Sequence, residues 1–162
     1  MTTTAIEIVS PVIAIEDGWV DYNGHLNQAY YGVIFDRAID DALAPVGLGP
    51  DYIKTHNCSY MTVENHTCFM RELMQTDPVR VATRVLDVDD KRLHTFSELR
   101  HANEGWVAAT VEYMFLHIDM TVRRASPWTP ALLANLDALK SAAAHLPWPE
   151  RAGRRIGIVR KG

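Results

Sequence analysis

One helical stripe stands among segments that otherwise favour β-strands. Apolar side chains recur at spacings of three and four, the period of an amphipathic helix, at Tyr31, Ile34, Phe35, Ala38 and Ala42. Asn27 can cap the first turn of this helix, and Pro45 disfavours helix at the residue before it, Ala44. Gly47 and Gly49 then predict a turn. A lone helix of about four turns has to bury its stripe against the face of a sheet.

The segments on both sides of the helix are rich in β-branched and aromatic residues. Residues 6–15 predict a first strand, in which Pro11 favours an edge position or a bulge. Four further strands are predicted at 59–70, 79–89, 92–101 and 106–119. The last two breaks between them are short enough for hairpins, so those strands are expected to be antiparallel neighbours. A final helix is predicted over 129–145, with Pro127 and Pro130 near its start.

One strand, one helix and then four strands in a meander predict an α+β fold with a sheet wrapped around a central helix. The 162 residues fit one domain, with a core over about 6–120 and a C-terminal helix and basic tail over about 127–162. At 48% hydrophobic residues, such a chain can bury a core without disulfides or metals. Cys58 and Cys68 fit no common zinc or redox spacing and are expected to be free thiols.

Composition and patterning exclude several classes of function. No stretch approaches the roughly 18 apolar residues of a membrane-spanning helix, and the N-terminus lacks a signal-peptide pattern, so a cytoplasmic location is expected. The net charge of −4 argues against nucleic acid as the main partner. The seven histidines show no metal-ligand spacing, so no metal is predicted. There is no glycine-rich phosphate loop, and no serine lies in a nucleophile elbow, which argues against an α/β-hydrolase mechanism.

The loop before the central helix carries the most informative motif. It places Gly24, His25, Asn27 and Tyr31 at three, four, six and ten residues after Asp21. A carboxylate can attack a carbonyl carbon directly as a nucleophile, or can activate water as a general base. The first N–H groups of the following helix have no internal partner, and the helix dipole adds partial positive charge there. A carbonyl oxygen placed at this end would be polarised.

This motif resembles the signature of the 4-hydroxybenzoyl-CoA thioesterase family of hotdog enzymes, and the element order extends the resemblance over about 6–120. The resemblance implies a hotdog fold, in which a five-stranded antiparallel sheet wraps around a central helix; here a C-terminal helix follows. It also implies hydrolysis of an acyl-CoA by Asp21, with the backbone N–H of Gln28 as oxyanion donor. Coenzyme A enters as part of the substrate, and no cofactor is expected. Many family members have two consecutive asparagines where this chain has Asn27-Gln28, but a backbone donor survives that change.

Each motif residue also has a purely structural interpretation. Asp21 can close an Asx turn with Gly24, and Gly24 can supply a backbone conformation or a close approach that a side chain forbids. His25 is favoured as a residue that holds the loop by hydrogen bonds over a catalytic group. Asn27 is favoured as a helix cap or loop anchor over a substrate ligand. Tyr31 is expected to pack beneath the helix.

Three later segments, 59–66, 90–96 and 109–119, resemble the thioesterases of bacterial carnitine degradation, which hydrolyse betainyl-CoA. Betaine carries a quaternary ammonium that cannot donate a hydrogen bond, and aromatic faces attract it by about 0.5–2 kcal/mol each. The aromatic candidates for the acyl pocket are Trp19, Tyr22, Tyr30, Tyr60 and Trp106. For any one of them, ordinary packing is the simpler explanation. Glu64 would add charge complementarity in the pocket, and a surface position fits it equally well.

Carboxylates on the central helix do the chemistry in some hotdog subgroups, but a salt bridge or a solvated face explains Asp36 and Asp40 better here. Two other functions remain open, a non-catalytic acyl-CoA-binding module and an enoyl-CoA hydratase. A lone hotdog sheet has an open edge, so a homodimer or a dimer of dimers is expected. The CoA phosphates are expected to meet basic residues, with candidates Arg71, Lys91, Arg92, Arg123 and Arg124. The basic tail after residue 150 is either a solvated terminus or a further phosphate contact.

Overall fold

The computed structural model describes residues 7–158 and residue 160. Three α-helices and six strands follow one another along the described chain. In order they are β1 (Ile8–Val9), α1 (Gln28–Leu43), α2 (Pro50–His56), β2 (Cys58–Phe69), β3 (Val79–Val88), β4 (Arg92–His101), β5 (Val107–Asp119), β6 (Arg124–Ala125) and α3 (Pro130–Ala143). Short 3₁₀ turns precede α1 at Asp17–Trp19 and follow it at Ala44–Val46.

The strands form one antiparallel sheet in the order β1-β3-β4-β5-β2, with the two-residue β6 beside β5. The predicted hairpins β3–β4 and β4–β5 are confirmed. The predicted meander is wrong for β2, which pairs with β5 from Cys58 opposite Asp119 to Phe69 opposite Ala109. Residues 70–78 are long enough to carry the chain from one edge of the sheet across to β3. As a result, the second edge of β2 has no strand beside it in the described chain.

The bounds of the four long strands agree with the prediction to within one residue. The first strand is much shorter than predicted, since only Ile8 and Val9 pair with β3, and Ile13 adds an isolated bridge to Val79. Pro11 lies between these two contacts and has no N–H to donate to a ladder, which explains the interruption. Residue 6 of the predicted strand lies outside the described residues. The helix α2 and the strand β6 were not predicted.

The central helix follows the prediction closely. Asn27 caps it by accepting a hydrogen bond of 3.0 Å from the N–H of Ala29, and Ala44 is its C-cap. The whole predicted stripe is buried, and Phe35 is only 1% exposed. The stripe shares one hydrophobic core with the inward faces of the strands, including Leu93 and Phe115. The expected α+β hotdog arrangement, with a C-terminal helix, is therefore confirmed.

The C-terminal helix α3 covers most of its predicted range and packs along β3. Thr129 caps it with a hydrogen bond of 3.4 Å from the N–H of Leu132, and Pro130 occupies the first helical position. Cys58 and Cys68 are free thiols, as predicted. Within the described part of the chain, no helix is long and apolar enough to cross a membrane.

Candidate active site

The residues after Asp21 fold into a tight turn that fixes its carboxylate. The N–H of Asp21 donates to the carbonyl of His25 at 2.9 Å, and Gly24 donates to the carbonyl of Asp21 at 3.0 Å. The Oδ1 atom of Asp21 accepts from the N–H of Asn23 at 2.8 Å and from that of His25 at 3.3 Å. Gly24 has a φ of 80°, which a residue with a side chain rarely adopts. The Asx-turn interpretation therefore agrees with the geometry, and it leaves Oδ2 with no hydrogen bond from the described residues.

Three contacts hold this turn against the rest of the protein. The N–H of Leu26 donates to the carbonyl of Leu73 at 2.8 Å, and that of Asn27 donates to the carbonyl of Trp19 at 2.9 Å. The imidazole Nε2 of His25 lies 3.0 Å from Oε2 of Glu72. His25 therefore occupies the loop-holding position that was favoured for it. Its partner Glu72 was not foreseen, because the two residues are far apart in sequence and only the tertiary fold brings them together.

The first N–H of α1 belongs to Gln28. The side-chain oxygen of Asn27 accepts a hydrogen bond from the N–H of Ala29, and the backbone carbonyl of Asn27 accepts one from the N–H of Tyr30 at 3.0 Å. In the described part of the chain, the N–H of Gln28 has no acceptor. An unpaired donor at a helix N-terminus, reinforced by the helix dipole, favours a negatively charged or strongly polarised oxygen. This is the property that an oxyanion site needs.

Gln28 lies on the wall of a groove of about 960 Å³. The start of α1 forms one side, and the chain just after β2 forms the other. The lining residues are Leu26, Gln28, Tyr31, Phe69, Met70, Arg71, Glu72, Met74, Asp77, Glu104 and Trp106. Asp21 is not among them, but its turn abuts the groove, because a Cβ added to Gly24 would lie 3.8 Å from Cε of Met74. Met74 and Glu72 come from a segment that the sequence pattern marked only as a break between strands.

The predicted aromatic candidates do not form a single cluster. Trp19 is buried, stacks on Tyr30 with ring centroids 5.8 Å apart, and carries the guanidinium of Arg37 at 5.3 Å from its ring centroid. The ring of Trp19 is thus in contact with both Tyr30 and Arg37. Tyr22 is 98% exposed at the tip of the turn. Only Trp106 lines the groove.

Tyr60 lies away from the groove, near the C-terminal half of α1. Its hydroxyl donates to Oδ1 of Asp40 at 2.5 Å, and its ring packs edge-on against Phe115 at 5.2 Å. Asp36 and Asp40 form no ion pair with any described residue, and both are exposed, so of the two predicted explanations the solvated face is the one that fits. Glu64 is exposed on the free-edged strand β2.

Of the five basic candidates for CoA binding, Arg71 lies far from the neighbouring pair Lys91 and Arg92. Arg71 lines the groove, with its guanidinium carbon 3.9 Å from the ring centroid of Trp106. Lys91 and Arg92 lie at the β3–β4 hairpin, at the opposite end of β4 from Trp106. There the Nε of Arg92 donates to Asp89 at 2.7 Å, and this contact, with backbone N–H donors, lowers the pKa of Asp89 to about 2 against the opposing effect of burial. In the described chain no group of three or more potential metal ligands is present.

Residues 15–136 match the family model of the thioesterase-like superfamily. The chain belongs to this superfamily. A betainyl-CoA thioesterase of Pseudomonas aeruginosa is 38% identical over 140 residues, which cover 86% of this chain and 88% of that protein. An L-carnitine dehydrogenase/betainyl-CoA thioesterase of Agrobacterium fabrum is also 38% identical, over 90% of this chain but only 30% of that longer protein.

Two solved structures have the same fold as this chain. A Staphylococcus aureus protein in complex with CoA superposes with a TM-score of 0.88 at 25% identity, covering 94% of this chain and 96% of that one. A Pseudomonas putida KT2440 protein, provisionally assigned as a thioesterase, has a TM-score of 0.81 at 31% identity, covering 95% and 98%. The predictions of a hotdog thioesterase family and of a thioester-hydrolysing enzyme are therefore confirmed.

Proposed function

We propose that this protein hydrolyses a small acyl-CoA, with betainyl-CoA as its substrate, to give betaine and free CoA. The observation that carries the proposal is the acceptor-free N–H of Gln28, which lies on a large groove beside the Asp21 turn. The relatives named betainyl-CoA thioesterase support the choice of acyl group. The S. aureus relative in complex with CoA supports a CoA ester as the substrate class.

The proposed reaction uses two groups, the backbone N–H of Gln28 and the carboxylate of Asp21. The thioester carbonyl oxygen accepts a hydrogen bond from the N–H of Gln28, which becomes stronger as negative charge develops on that oxygen. The carboxylate of Asp21 then acts in one of two ways. It attacks the carbonyl carbon, expels CoA thiolate and forms a mixed anhydride that water cleaves. Alternatively, it takes a proton from a water molecule that attacks the same carbon, and the tetrahedral intermediate then breaks its C–S bond and expels CoA thiolate. In both routes the tetrahedral oxyanion forms at Gln28.

The neighbouring motif residues position these two groups. The positive φ of Gly24 lets the chain turn back so that Asp21 Oδ1 meets two backbone donors. The side chain of Asn27 accepts a hydrogen bond from the N–H of Ala29 and leaves the N–H of Gln28 available to the substrate. His25 ties the turn to Glu72 on the groove wall. Arg71, on the same wall, is exposed and is our choice for a CoA phosphate contact.

A homodimer through β2 completes this proposal. The free edge of β2 exposes apolar side chains in the middle of the strand, with Met61 at 37% and Val63 at 57% exposed. Pairing two such edges antiparallel about a twofold axis removes an open edge and covers these side chains. It also turns the hairpin with Lys91 and Arg92 of one subunit toward the groove of the other. These residues would then meet the CoA bound to the partner subunit.

The proposal is tested by following CoA release with a thiol reagent on a panel of esters. The panel contains betainyl-CoA, short straight-chain acyl-CoAs, an aryl-CoA and an enoyl-CoA. We expect the fastest release from betainyl-CoA. Binding of the esters without release would indicate a non-catalytic module, and loss of enoyl absorbance without a free thiol would indicate a hydratase. Either result would contradict the proposed function.

A further inference from the structure

The indole of Trp106 is held in place on the wall of the groove. Its Nε1 donates to Oε2 of Glu104 at 3.0 Å, and its ring stacks on the imidazole of His101 with centroids 5.0 Å apart. His101 is buried, at 6% exposed, and its Nδ1 accepts the N–H of Glu104 at 3.1 Å. The positive φ of Gly105, 77°, turns the chain back, so that the N–H of His101 donates to the carbonyl of Trp106 at 2.9 Å. These contacts leave the indole little freedom to move.

Trp106 in turn supports the side chain of Arg71. The guanidinium carbon of Arg71 lies 3.9 Å from the indole centroid, within the range of a cation–π contact. The backbone N–H of Arg71 donates at 3.1 Å to the carbonyl of Ala108, which is fully buried, so this residue is held at its backbone and at its charged end. A guanidinium that lies over a ring can still donate hydrogen bonds, because its N–H groups point outward in its own plane.

Three carboxylates line the same groove as Arg71, and none of them forms an ion pair with it. Each has another described partner: Glu72 has His25, Asp77 has the N–H of Met74, and Glu104 has the indole of Trp106. Among the charged residues of the groove wall, Arg71 is the one whose charged group has no ion pair or hydrogen bond to a described residue. A guanidinium held with its donors open matches an oxyanion that has several acceptor oxygens, such as phosphate.

We infer that Arg71, positioned by Trp106, binds a phosphate of CoA. This assigns Trp106 to the CoA part of the substrate as a positioning residue, and not to the acyl pocket. The inference rests on the proposed function and deepens it, because it assigns one part of the groove to one part of the substrate. Gln28 lines the same groove, so the pantetheine arm of CoA would join a thioester at the Gln28 N–H to a phosphate at Arg71.

The phosphate contact is tested with four thioesters of one acyl group, the group that is released fastest from CoA. They carry pantetheine, 4′-phosphopantetheine, dephospho-CoA and CoA. We expect Arg71→Met to raise KM about tenfold, with kcat unchanged, for each ester that has the contacted phosphate, and to leave the pantetheine ester unaffected. An effect that begins with phosphopantetheine assigns the contact to the pyrophosphate, and an effect confined to CoA assigns it to the 3′-phosphate. An effect that begins with dephospho-CoA, where adenosine enters, overturns the phosphate assignment.

The positioning role of Trp106 is tested with the same KM values. Trp106→Leu should raise KM for the CoA ester about fivefold, and Trp106→Phe, which keeps a ring face for Arg71, should restore it. The Arg71→Met/Trp106→Leu double variant should be no worse than Arg71→Met, because Trp106 acts through Arg71. Additive losses, or an equal loss on the pantetheine ester, overturn the positioning role. Arg37→Met is the matched control, since its guanidinium lies 5.3 Å from the ring centroid of Trp19 and lines no part of the groove.

The inference and the proposed function fail in different ways. A wild-type protein that hydrolyses all four esters with the same KM keeps its thioesterase function but overturns the phosphate contact. A protein that hydrolyses no ester overturns the proposed function, and titration calorimetry with CoA and pantetheine then tests Arg71 without turnover. We expect Arg71→Met to weaken binding of CoA and not that of pantetheine; an unchanged Kd for CoA overturns the inference.

Discussion

The imidazole Nε2 of His25 lies 3.0 Å from Oε2 of Glu72, a contact that joins the Asp21 turn to the wall of the groove. The side chain of Glu72 is 75% exposed, so the pair should contribute less than about 1 kcal/mol to folding. If His25 acts only by holding the turn, Glu72→Ala, His25→Ala and the double variant should lower kcat/KM by similar amounts, about threefold to tenfold. A far larger loss in His25→Ala alone would instead assign His25 a direct catalytic role.

The cap at Asn27 links stability to activity. Asn27→Ala removes the acceptor of the Ala29 N–H, and we expect the free energy of unfolding to fall by about 1 kcal/mol. It also frees the first turn of α1 to fray, so kcat should fall as well. Asn27→Ser should restore both. Thr129→Ala is the matched control, because it removes the cap of α3 and should cost similar stability in a denaturation experiment without changing kcat.

The backbone N–H of Gln28, the proposed oxyanion donor, can be removed without shortening the helix. Proline has no N–H and is well tolerated at the first helical position, as Pro50 and Pro130 show in α2 and α3. The ψ of 141° at Asn27 suits a following proline. We expect Gln28→Pro to lower kcat by about 10²–10³ with little change in thermal stability. Gln28→Ala keeps the N–H and should keep kcat; equal activity of the two variants would contradict a backbone donor at this position.

The exposed edge of β2 should decide the oligomeric state. Val63 is 57% exposed in the middle of this strand, and we expect Val63→Asp to place charge at the subunit contact and yield monomers. Sedimentation velocity measures the change in mass, and kcat/KM for betainyl-CoA should fall with it. Val122→Asp provides a control at a similar exposure of 60% outside β2. If Val63→Asp sediments with the same mass as the wild-type protein, β2 is not the subunit interface.

Local signals were enough to predict most of the elements but not their partners. The bounds of β4 and the cap at Asn27 follow from turn residues and from periodicity, which depend on neighbours in sequence. The pairing of β2 with β5 depends on a long connection, whose path short-range patterns do not encode. Short-range patterns likewise do not show which distant residues meet at the candidate active site. Asp21 was predicted from its motif, whereas Glu72 and the Tyr60–Asp40 contact join distant segments and became visible only in the fold.

Asp21 has a structural role in its turn and a proposed chemical role, and one substitution separates the two. Asparagine keeps an oxygen that can accept the N–H groups of Asn23 and His25, so Asp21→Asn should preserve the turn and change the free energy of unfolding by less than about 1 kcal/mol. It removes the negative charge that either catalytic route requires. Asp21→Ala loses the acceptor as well and should be less stable. Asp137→Asn on α3 makes the same chemical change at an exposed position.

The most direct test is the rate of CoA release from betainyl-CoA by Asp21→Asn, measured beside the wild-type protein and Asp137→Asn at matched thermal stability. We expect kcat/KM of Asp21→Asn to fall by about 10²–10⁴, with Asp137→Asn at the wild-type value. A stable, folded Asp21→Asn protein that releases CoA at the wild-type rate would contradict the assignment of Asp21 as the catalytic carboxylate.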